Sequence, residues 1–367
     1  MAAGSTFGKI FRITTWGESH GQGTGVVVDG CPAGLNLTEG DIQTFLDRRR
    51  PGVSGYSSGR KEEDKIKILS GIFEGVTTGA PISMMVENTG HQSGDYSALK
   101  DLYRPGHADY TYEMKYGIRD FRGGGRASGR ETLGRVAGGA IAVKVLEEMG
   151  IGIYAYTTSI GPVTVNREHL SLETRDQNPL YMPDPRAAEE ASAYLKECRK
   201  RGDSAGGVAE CMITGLPAGL GDPVFDKLSA SLGQAILSIG GVKGFEIGDG
   251  FSAARSAGSV NNDEFYRDGH QVKKKTNHAG GLLGGISDGS EVIFRAAFKP
   301  VPSIAAVQRT VDSHGAEREV SISGRHDPVI VPRAVVVLET MAACVVLDSL
   351  LLNMSSRLDR ILDFYRD

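Results

Sequence analysis

The sequence predicts an α+β fold in which one structural unit occurs twice. The tetrapeptide Pro-Ala-Gly-Leu at residues 32–35 recurs at residues 217–220, about half a chain length later. In each half, apolar and polar residues predict the same order of strand, turn, helix, hairpin and closing helix. Because neither half can cover its own sheet, the halves are expected to pack against each other. We expect a single domain over residues 1–367, with copies at about 9–150 and 208–353 and a peripheral polar insertion at 154–203.

The first copy is predicted to begin with a hairpin. Lys9 to Trp16 alternates apolar and polar residues, as a half-buried strand does, and Thr24 to Val28 is a second apolar run. Thr38 is a helix N-cap residue, and the helix that it starts runs into Asp47-Arg48-Arg49-Arg50-Pro51, where proline stops it. Two further strands are predicted, at Lys65 to Ile72 and Pro81 to Val86.

The second copy follows the same order. A predicted strand at Val208 to Thr214 precedes the repeated tetrapeptide, and a helix at Phe225 to Ile239 follows it. A hairpin then leads into a strand at Val292 to Phe298, and the apolar run Pro332 to Leu351 predicts the closing helix. The insertion is expected to hold an amphipathic helix near Ala187 to Arg199.

Composition indicates a globular protein whose ligand is a small anion rather than a nucleic acid. The 367 residues are 40% apolar, enough for a substantial core, and the formal charge is -4 with a pI near 6.1. The N-terminus lacks an apolar signal core and we expect no run of membrane-spanning length, which predicts a cytoplasmic protein without a membrane partner. The four scattered cysteines are expected to be buried thiols, and no metal site is expected.

A glycine- and arginine-rich stretch is the strongest candidate for a ligand site. The glycines at 123–125 allow a sharp turn with exposed amides, and a helix starting by Ser128 would add N–H donors and a positive dipole end. Arg126 and Arg130 would then share one helical face. This density predicts a pocket for several anionic groups, and the alternative is a loop followed by a solvated helix face. Three more arginines lie in the stretch: Arg119, Arg122 and Arg135.

Two histidines lie in loops suited to acid–base chemistry. Gly17-Glu18-Ser19-His20-Gly21 matches the G-x-S-x-G pattern of serine hydrolases, but an apolar strand follows where that pattern requires a helix, which argues against a serine nucleophile. His20 could instead donate or accept a proton on a tight turn. His107 lies in the loop Arg104-Pro105-Gly106-His107-Ala108-Asp109. A loop histidine is most often a surface or structural residue, but the nearby arginines favour a functional one.

The second copy offers two further candidate loops. Lys299-Pro300-Val301-Pro302-Ser303 provides a cation, a stiff turn and a hydroxyl group, and Gly324-Arg325-His326-Asp327-Pro328 comes directly before the closing helix. Asp327 is either a structural carboxylate paired with Arg325 or a base that Arg325 keeps ionised. A nucleotide-binding fold is not expected, because the P-loop pattern is missing and Gly123 to Gly129 does not satisfy the dinucleotide-binding fingerprint.

Taken together, six motifs resemble the chorismate synthase family, nearly end to end and in the family's order. The resemblance implies a lyase that converts 5-enolpyruvylshikimate 3-phosphate to chorismate and phosphate by 1,4-anti elimination, the last step of the shikimate pathway. It implies a requirement for reduced FMN, although substrate and product differ by no net redox change. It also implies two antiparallel four-stranded sheets sandwiched with helices. The motifs are Gly17 to Gly21, Asp47 to Gly52, Arg104 to Asp109, Arg122 to Thr132, Asn277 to Gly281 and Gly324 to Pro328.

The resemblance implies a role for each matching position. His20 would protonate the departing phosphate, and His107 would supply the proton that keeps reduced flavin in its required state. Asp327 would assist removal of the C6 proton through the flavin N5. Arg49 and Arg130 would bind the substrate, whose phosphate and two carboxylates account for a surplus of arginines. The residues implied to line the flavin are Arg126, Ala127, Ser128, Gly240, Gly241, Gly284, Lys299, Pro300, Val301, Pro302, Ser303 and Arg325.

Further expectations concern a departure from the family pattern and the partners. Many relatives carry an arginine before the tyrosine that matches Tyr56, whereas this chain has Gly55, and Arg60 is the candidate substitute. The family type that reduces its own flavin is a longer chain, so an external flavin reductase or other reduced-flavin source is expected, with an intrinsic NADPH-dependent reductase as the alternative. A homotetramer is also implied. The competing hypothesis is a protein that binds flavin or a phosphorylated ligand without turnover.

Overall fold

Two antiparallel β-sheets enclose a layer of helices in the computed structural model of this α+β protein. The structure describes residues 4–50, 63–88, 100–322 and 327–366. The mixed class and the antiparallel pairing of both sheets agree with the sequence-based expectation.

The first sheet is formed by residues of the first half. The strands of this half are β1 (Thr6–Phe7), β2 (Arg12–Gly17), β3 (Gly23–Asp29), β4 (Ile66–Ile68), β5 (Ile72–Phe73), β6 (Val76–Thr77) and β7 (Ile82–Glu87), and its helices are α1 (Glu39–Arg49), α2 (Asp109–Tyr116) and α3 (Thr132–Glu147). The strand order in the sheet is β1-β2-β3-β7-β4. Thr38 caps α1, as the sequence predicts, and the side chains of Thr38 and Asp41 form a reciprocal capping box.

The second half forms the other sheet and three small hairpins. The strands of this half are β8 (Gly152–Ile160), β9 (Val163–Thr164), β10 (Gly207–Thr214), β11 (Val242–Ile247), β12 (Phe265–Asp268), β13 (Gln271–Lys274), β14 (Leu282–Leu283), β15 (Ile286–Ser287), β16 (Val292–Phe298), β17 (Gln308–Val311) and β18 (Glu317–Val320). The sheet has the strand order β11-β16-β10-β8-β9. The helices of this half are α4 (Leu172–Arg175), α5 (Pro185–Lys200), α6 (Leu228–Leu237), α7 (Gly258–Asn261), α8 (Val331–Asn353) and α9 (Leu358–Phe364).

Helices α3 and α8 pack side by side between the two sheets. Glycines allow the close approach: a Cβ at Gly138 would lie 2.8 Å from Ile13 on β2, and one at Gly139 would lie 2.4 Å from the carbonyl oxygen of Thr340 on α8. Helix α8 covers β8 and β10 of the second sheet. The core is therefore continuous from one sheet through both helices to the other.

The two Pro-Ala-Gly-Leu turns make matching hydrogen bonds to the hairpin of their own half. Thr77 Oγ1 donates to the carbonyl of Pro32 at 2.7 Å, and Ser287 Oγ donates to the carbonyl of Pro217 at 2.6 Å. The leucine amide of each turn donates back to the same hydroxyl group, at 2.9 Å in both halves. The repeated tetrapeptide thus has the same local environment in each half.

Three details differ from the sequence-based expectations. Each sheet has a fifth, two-residue edge strand, β1 or β9, beside the four strands expected. Strand β8 pairs along its whole length with β10 and is largely buried, so the segment 154–203 is not wholly a peripheral insertion. Helix α8 is long and apolar enough to cross a membrane, contrary to expectation, but 72% of its most apolar window is buried inside the protein, as a core helix requires. The four cysteines are buried and unpaired, as expected.

Candidate active site

The turn that carries His20 packs directly on the glycine turn of the arginine-rich stretch. A Cβ at Gly123 would lie 2.3 Å from two ring atoms of His20, so only glycine leaves room for this imidazole. Ser19 Oγ lies 3.0 Å from His20 Nδ1. Asn88 Nδ2 donates to the carbonyls of Glu18 and Gly21, at 3.0 and 2.8 Å, and fixes the turn on both sides of the histidine. A strand, β3, follows this turn, which does not fit a nucleophilic Ser19.

Arg49 and Arg130 meet at a buried carboxylate. Asp64 Oδ2 accepts from Arg49 Nη1 at 3.0 Å, and Asp64 Oδ1 accepts from Arg130 Nη1 at 3.1 Å. Arg49 also donates to Thr132 Oγ1 and to the carbonyl of Gly129, both at 3.1 Å, which ties the end of α1 to the start of α3. The two arginines that the family resemblance assigns to the substrate therefore lie together.

The other arginines of the 119–135 stretch do not join this pair. Ser128 begins a second short 3-10 turn instead of the helix, so Arg126 and Arg130 do not share a helical face. Arg126 donates to Thr15 and to the carbonyl of Gly17. Arg119 pairs with Asp109 and donates to loop carbonyls. Arg122 pairs with Asp120, and Arg135 donates to Glu131 and Ser238. Among the described residues, these four arginines therefore have partners of their own, apart from the pair at Asp64.

Asp327 reaches the same region from the second half. Its carboxylate is mostly buried and pairs with Nη1 of Arg333 in the first turn of α8. Arg333 Nε donates to the carbonyl of Arg49 at 2.9 Å, so Asp327 is linked to the end of α1. Arg325, expected beside it, lies outside the described residues, as do Gly55, Tyr56 and Arg60.

The loop of His107 packs on the loop of Lys299 to Ser303. His107 Nδ1 lies 3.1 Å from the carbonyl of Pro105, which can only accept, so Nδ1 carries the proton and Nε2 accepts from Ser303 Oγ at 2.9 Å. Burial, aided by the charge of Arg104, lowers the pKa of His107 to about 4. The imidazole is therefore neutral at pH 7, and in this arrangement its Nε2 is an acceptor.

Two lysines beside this loop provide positive charge for an anionic cofactor group. Burial and the nearby Lys243 ammonium lower the pKa of Lys299, and no carboxylate in the described part of the chain pairs with either lysine. Lys299 Nζ donates to the carbonyl of Gly106 at 2.6 Å, and its backbone N–H donates to Gly241 at 2.9 Å. Space for a Cβ is open at Gly240. These residues fit a phosphate-bearing cofactor such as FMN.

The predicted cofactor residues thus fall into separate groups. Lys299 to Ser303 lies with His107 and Gly241, whereas Arg126, Ala127 and Ser128 lie in the turn beside β2. Gly284 is in the β14–β15 turn, in the hairpin that holds the second Pro-Ala-Gly-Leu turn.

Sequence reasoning missed three residues that organise the site: Asp64, Asn88 and Arg333. Asp64 lies shortly before β4 and Asn88 directly follows β7, and both contact partners far away in the chain, so no local spacing marks them. Arg333 did carry a signal, because a charged residue in the first turn of an apolar helix needs a partner.

Paired arginines, two loop histidines and a shielded carboxylate suit an enzyme that binds a polyanionic small molecule and transfers protons around it. Comparisons with known proteins are more specific. A sequence profile described as chorismate synthase matches residues 11–351. Chorismate synthases of Agathobacter rectalis and Lachnospira eligens are 61% and 58% identical, each over 99% of this chain and at least 99% of the relative. A crystal structure of chorismate synthase superimposes with a TM-score of 0.77 at 33% identity, covering 98% of this chain and 97% of the other.

The chain belongs to the chorismate synthase family. Members of this family are lyases that catalyse the last step of the shikimate pathway, in which 5-enolpyruvylshikimate 3-phosphate loses phosphate to give chorismate, and they depend on reduced FMN.

Proposed function

We propose that the residues around Asp64 form the substrate site of this elimination. The observation that carries the proposal is a continuous set of hydrogen bonds from the His20 turn through Asn88, Arg130 and Arg49 to Arg333 and Asp327. Arg49 and Arg130 bind anionic groups of 5-enolpyruvylshikimate 3-phosphate, because guanidinium groups suit phosphate and carboxylate geometry.

Two groups move the protons of the reaction. His20 protonates the departing phosphate from its turn beside Gly123, and Asp327, held in place by its ion pair with Arg333, assists removal of the C6 proton. One C–H bond and one C–O bond break and a new C=C bond forms, so no oxidant is consumed.

The flavin site is proposed at Lys299 to Ser303 with Gly240 and Gly241. When bound, reduced FMN supplies the electron density that eases cleavage of the C–O bond to phosphate. Lys299 contributes charge for the anionic cofactor. His107 Nε2 accepts the hydrogen bond of the Ser303 hydroxyl group and so fixes the position of that proton beside the cofactor. Arg126, Ala127, Ser128, Gly284 and Arg325 belong to the proposed lining of the flavin. Arg126 donates to Thr15 and Gly17, and these contacts support a role in which Arg126 fixes the position of the turn at residues 125–128.

We further propose that the fold arose by internal duplication within one domain. The strand orders β2-β3-β7-β4 and β8-β10-β16-β11 correspond one to one, and each half closes with a buried helix. The matching hydrogen bonds of the two Pro-Ala-Gly-Leu turns support the same correspondence.

The proposed setting is a cytoplasmic homotetramer supplied with reduced FMN by an external reductase. The tetramer rests on the family alone.

Titration with oxidised FMN, with and without 5-enolpyruvylshikimate 3-phosphate, tests the proposed sites. We expect tight ternary binding with a perturbed flavin spectrum, and weakened binding of the substrate in Arg49→Gln. Failure to bind flavin even with substrate present contradicts the proposal.

A further inference from the structure

We propose that Asp64 is a positioning residue that sets the relative placement of the Arg49 and Arg130 guanidinium groups for the substrate. This inference rests on the substrate role proposed for the two arginines. Each carboxylate oxygen accepts from a different guanidinium group, at 3.0 and 3.1 Å, so one small side chain fixes both. The separation and angle of the two cations are thereby set before any ligand arrives.

Electrostatics requires such a group at this place. The Asp64 side chain has no exposed surface, and the side chains of Arg49 and Arg130 are 4% and 10% exposed. Two guanidinium groups that stay charged repel each other strongly where water is scarce. The carboxylate between them offsets this repulsion.

The backbone of Asp64 is held in place independently of the arginines. Gln43 on α1 donates from Nε2 to the carbonyl of Asp64 at 3.3 Å and accepts from the N–H of Ile66 at 3.1 Å. Asp64 has a φ of 46°, in the left-handed region that aspartate and asparagine tolerate better than most residues. The backbone of Asp64 is therefore anchored to α1 and the start of β4 by contacts that do not involve the arginines.

The position of Arg130 is also coupled to that of His20, the proposed proton donor. Arg130 Nε donates to Asn88 Oδ1, and the amide of Asn88 holds the carbonyls on either side of His20. A shift of Arg130 away from Asp64 would therefore move the bound anion relative to the group that protonates it.

Steady-state kinetics of the full chain test the inference, with chemically reduced FMN under anaerobic conditions. Asp64→Asn keeps the shape and the tolerance of the left-handed backbone and removes the charge. We expect its KM for 5-enolpyruvylshikimate 3-phosphate to rise roughly 10- to 100-fold, while the KM for reduced FMN stays at the wild-type value. A purely structural role would lower the melting temperature and leave the substrate KM unchanged.

Glu210→Gln is the matched control. Glu210 is also a buried carboxylate with two donors, Tyr156 and Arg167, each at 2.6 Å, but it lies in the second sheet away from the arginine pair. We expect this variant to lose stability and keep the wild-type KM. If Asp64→Asn fails to fold, Gln43→Ala replaces it, because it loosens the anchor of Asp64 and should raise the same KM.

Arg130→Gln separates this inference from the proposed function. A raised substrate KM in Arg130→Gln, with a wild-type KM in Asp64→Asn or, if that variant does not fold, in Gln43→Ala, overturns the positioning role alone. A wild-type KM in Arg130→Gln instead contradicts the substrate role of the arginine itself.

Discussion

Arg333 holds Asp327 with one guanidinium nitrogen and the backbone of Arg49 with another. The guanidinium group therefore links the proposed base in the second half to the backbone of a proposed substrate-binding arginine in the first. It lies in the first turn of α8, whose residues 334–348 are buried, so its position is set by the core.

Removing this link should impair turnover more than flavin binding. In Arg333→Gln, Asp327 loses the side chain that holds it in place beside the end of α1, and we expect kcat to fall roughly 10- to 100-fold. Arg357→Gln, which removes an exposed ion pair with Asp359, is the control and should keep the wild-type kcat.

His107 is expected to be required for the reaction. Replacement by alanine removes the imidazole between Pro105 and Ser303, and kcat should fall about 100-fold, the scale of general acid–base assistance. His169→Ala, at an exposed histidine of the second half, serves as the control. An unchanged rate in His107→Ala would refute the assigned role.

Gly123→Ala should displace His20 without removing it. The added methyl group would lie 2.3 Å from the imidazole, closer than atoms pack, so the ring or its turn must move. We expect kcat to drop roughly 10- to 100-fold with flavin affinity retained. Gly258→Ala places a methyl group in open space and should have the wild-type rate; equal rates in both variants would show that the contact does not matter.

The buried state of His107 predicts a pH dependence of stability. Its pKa is about 4 in the folded protein against an ordinary 6.5, so the unfolded chain binds the proton more tightly. This contribution to the free energy of unfolding is present above pH 6.5 and is lost as the pH falls from 6.5 to 4, by up to about 3 kcal/mol. Denaturant unfolding of wild type and His107→Gln should therefore converge in stability toward pH 4. A constant difference across that range would contradict the burial of a neutral imidazole.

Local signals allowed much of the fold to be predicted, and long-range contacts account for what was missed. Thr38 and Pro51 bracket α1 within a few residues of its observed ends. The partner of Arg126, by contrast, depends on how β2 lies beside the glycine turn. The spacing of four residues predicted that Arg126 and Arg130 share one helical face, and this prediction was wrong. Asp64 meets Arg130 across 66 residues of chain, a contact that only the folded sheet creates.

Charged residues within the apolar helix α8 were a usable signal for the site. Arg333, Glu339 and Asp348 each find partners from other elements: Asp327 for Arg333, Arg48 and Arg175 for Glu339, and the backbone of residues 9–11 for Asp348. A buried charge is costly unless it is paired, so each such residue predicts a partner, although not which one.

An anaerobic assay with chemically reduced FMN and 5-enolpyruvylshikimate 3-phosphate tests the central claim most directly. We expect equal amounts of chorismate and phosphate, with the flavin still reduced at the end. Phosphate release without chorismate, or no reaction while both ligands are bound, would contradict the account.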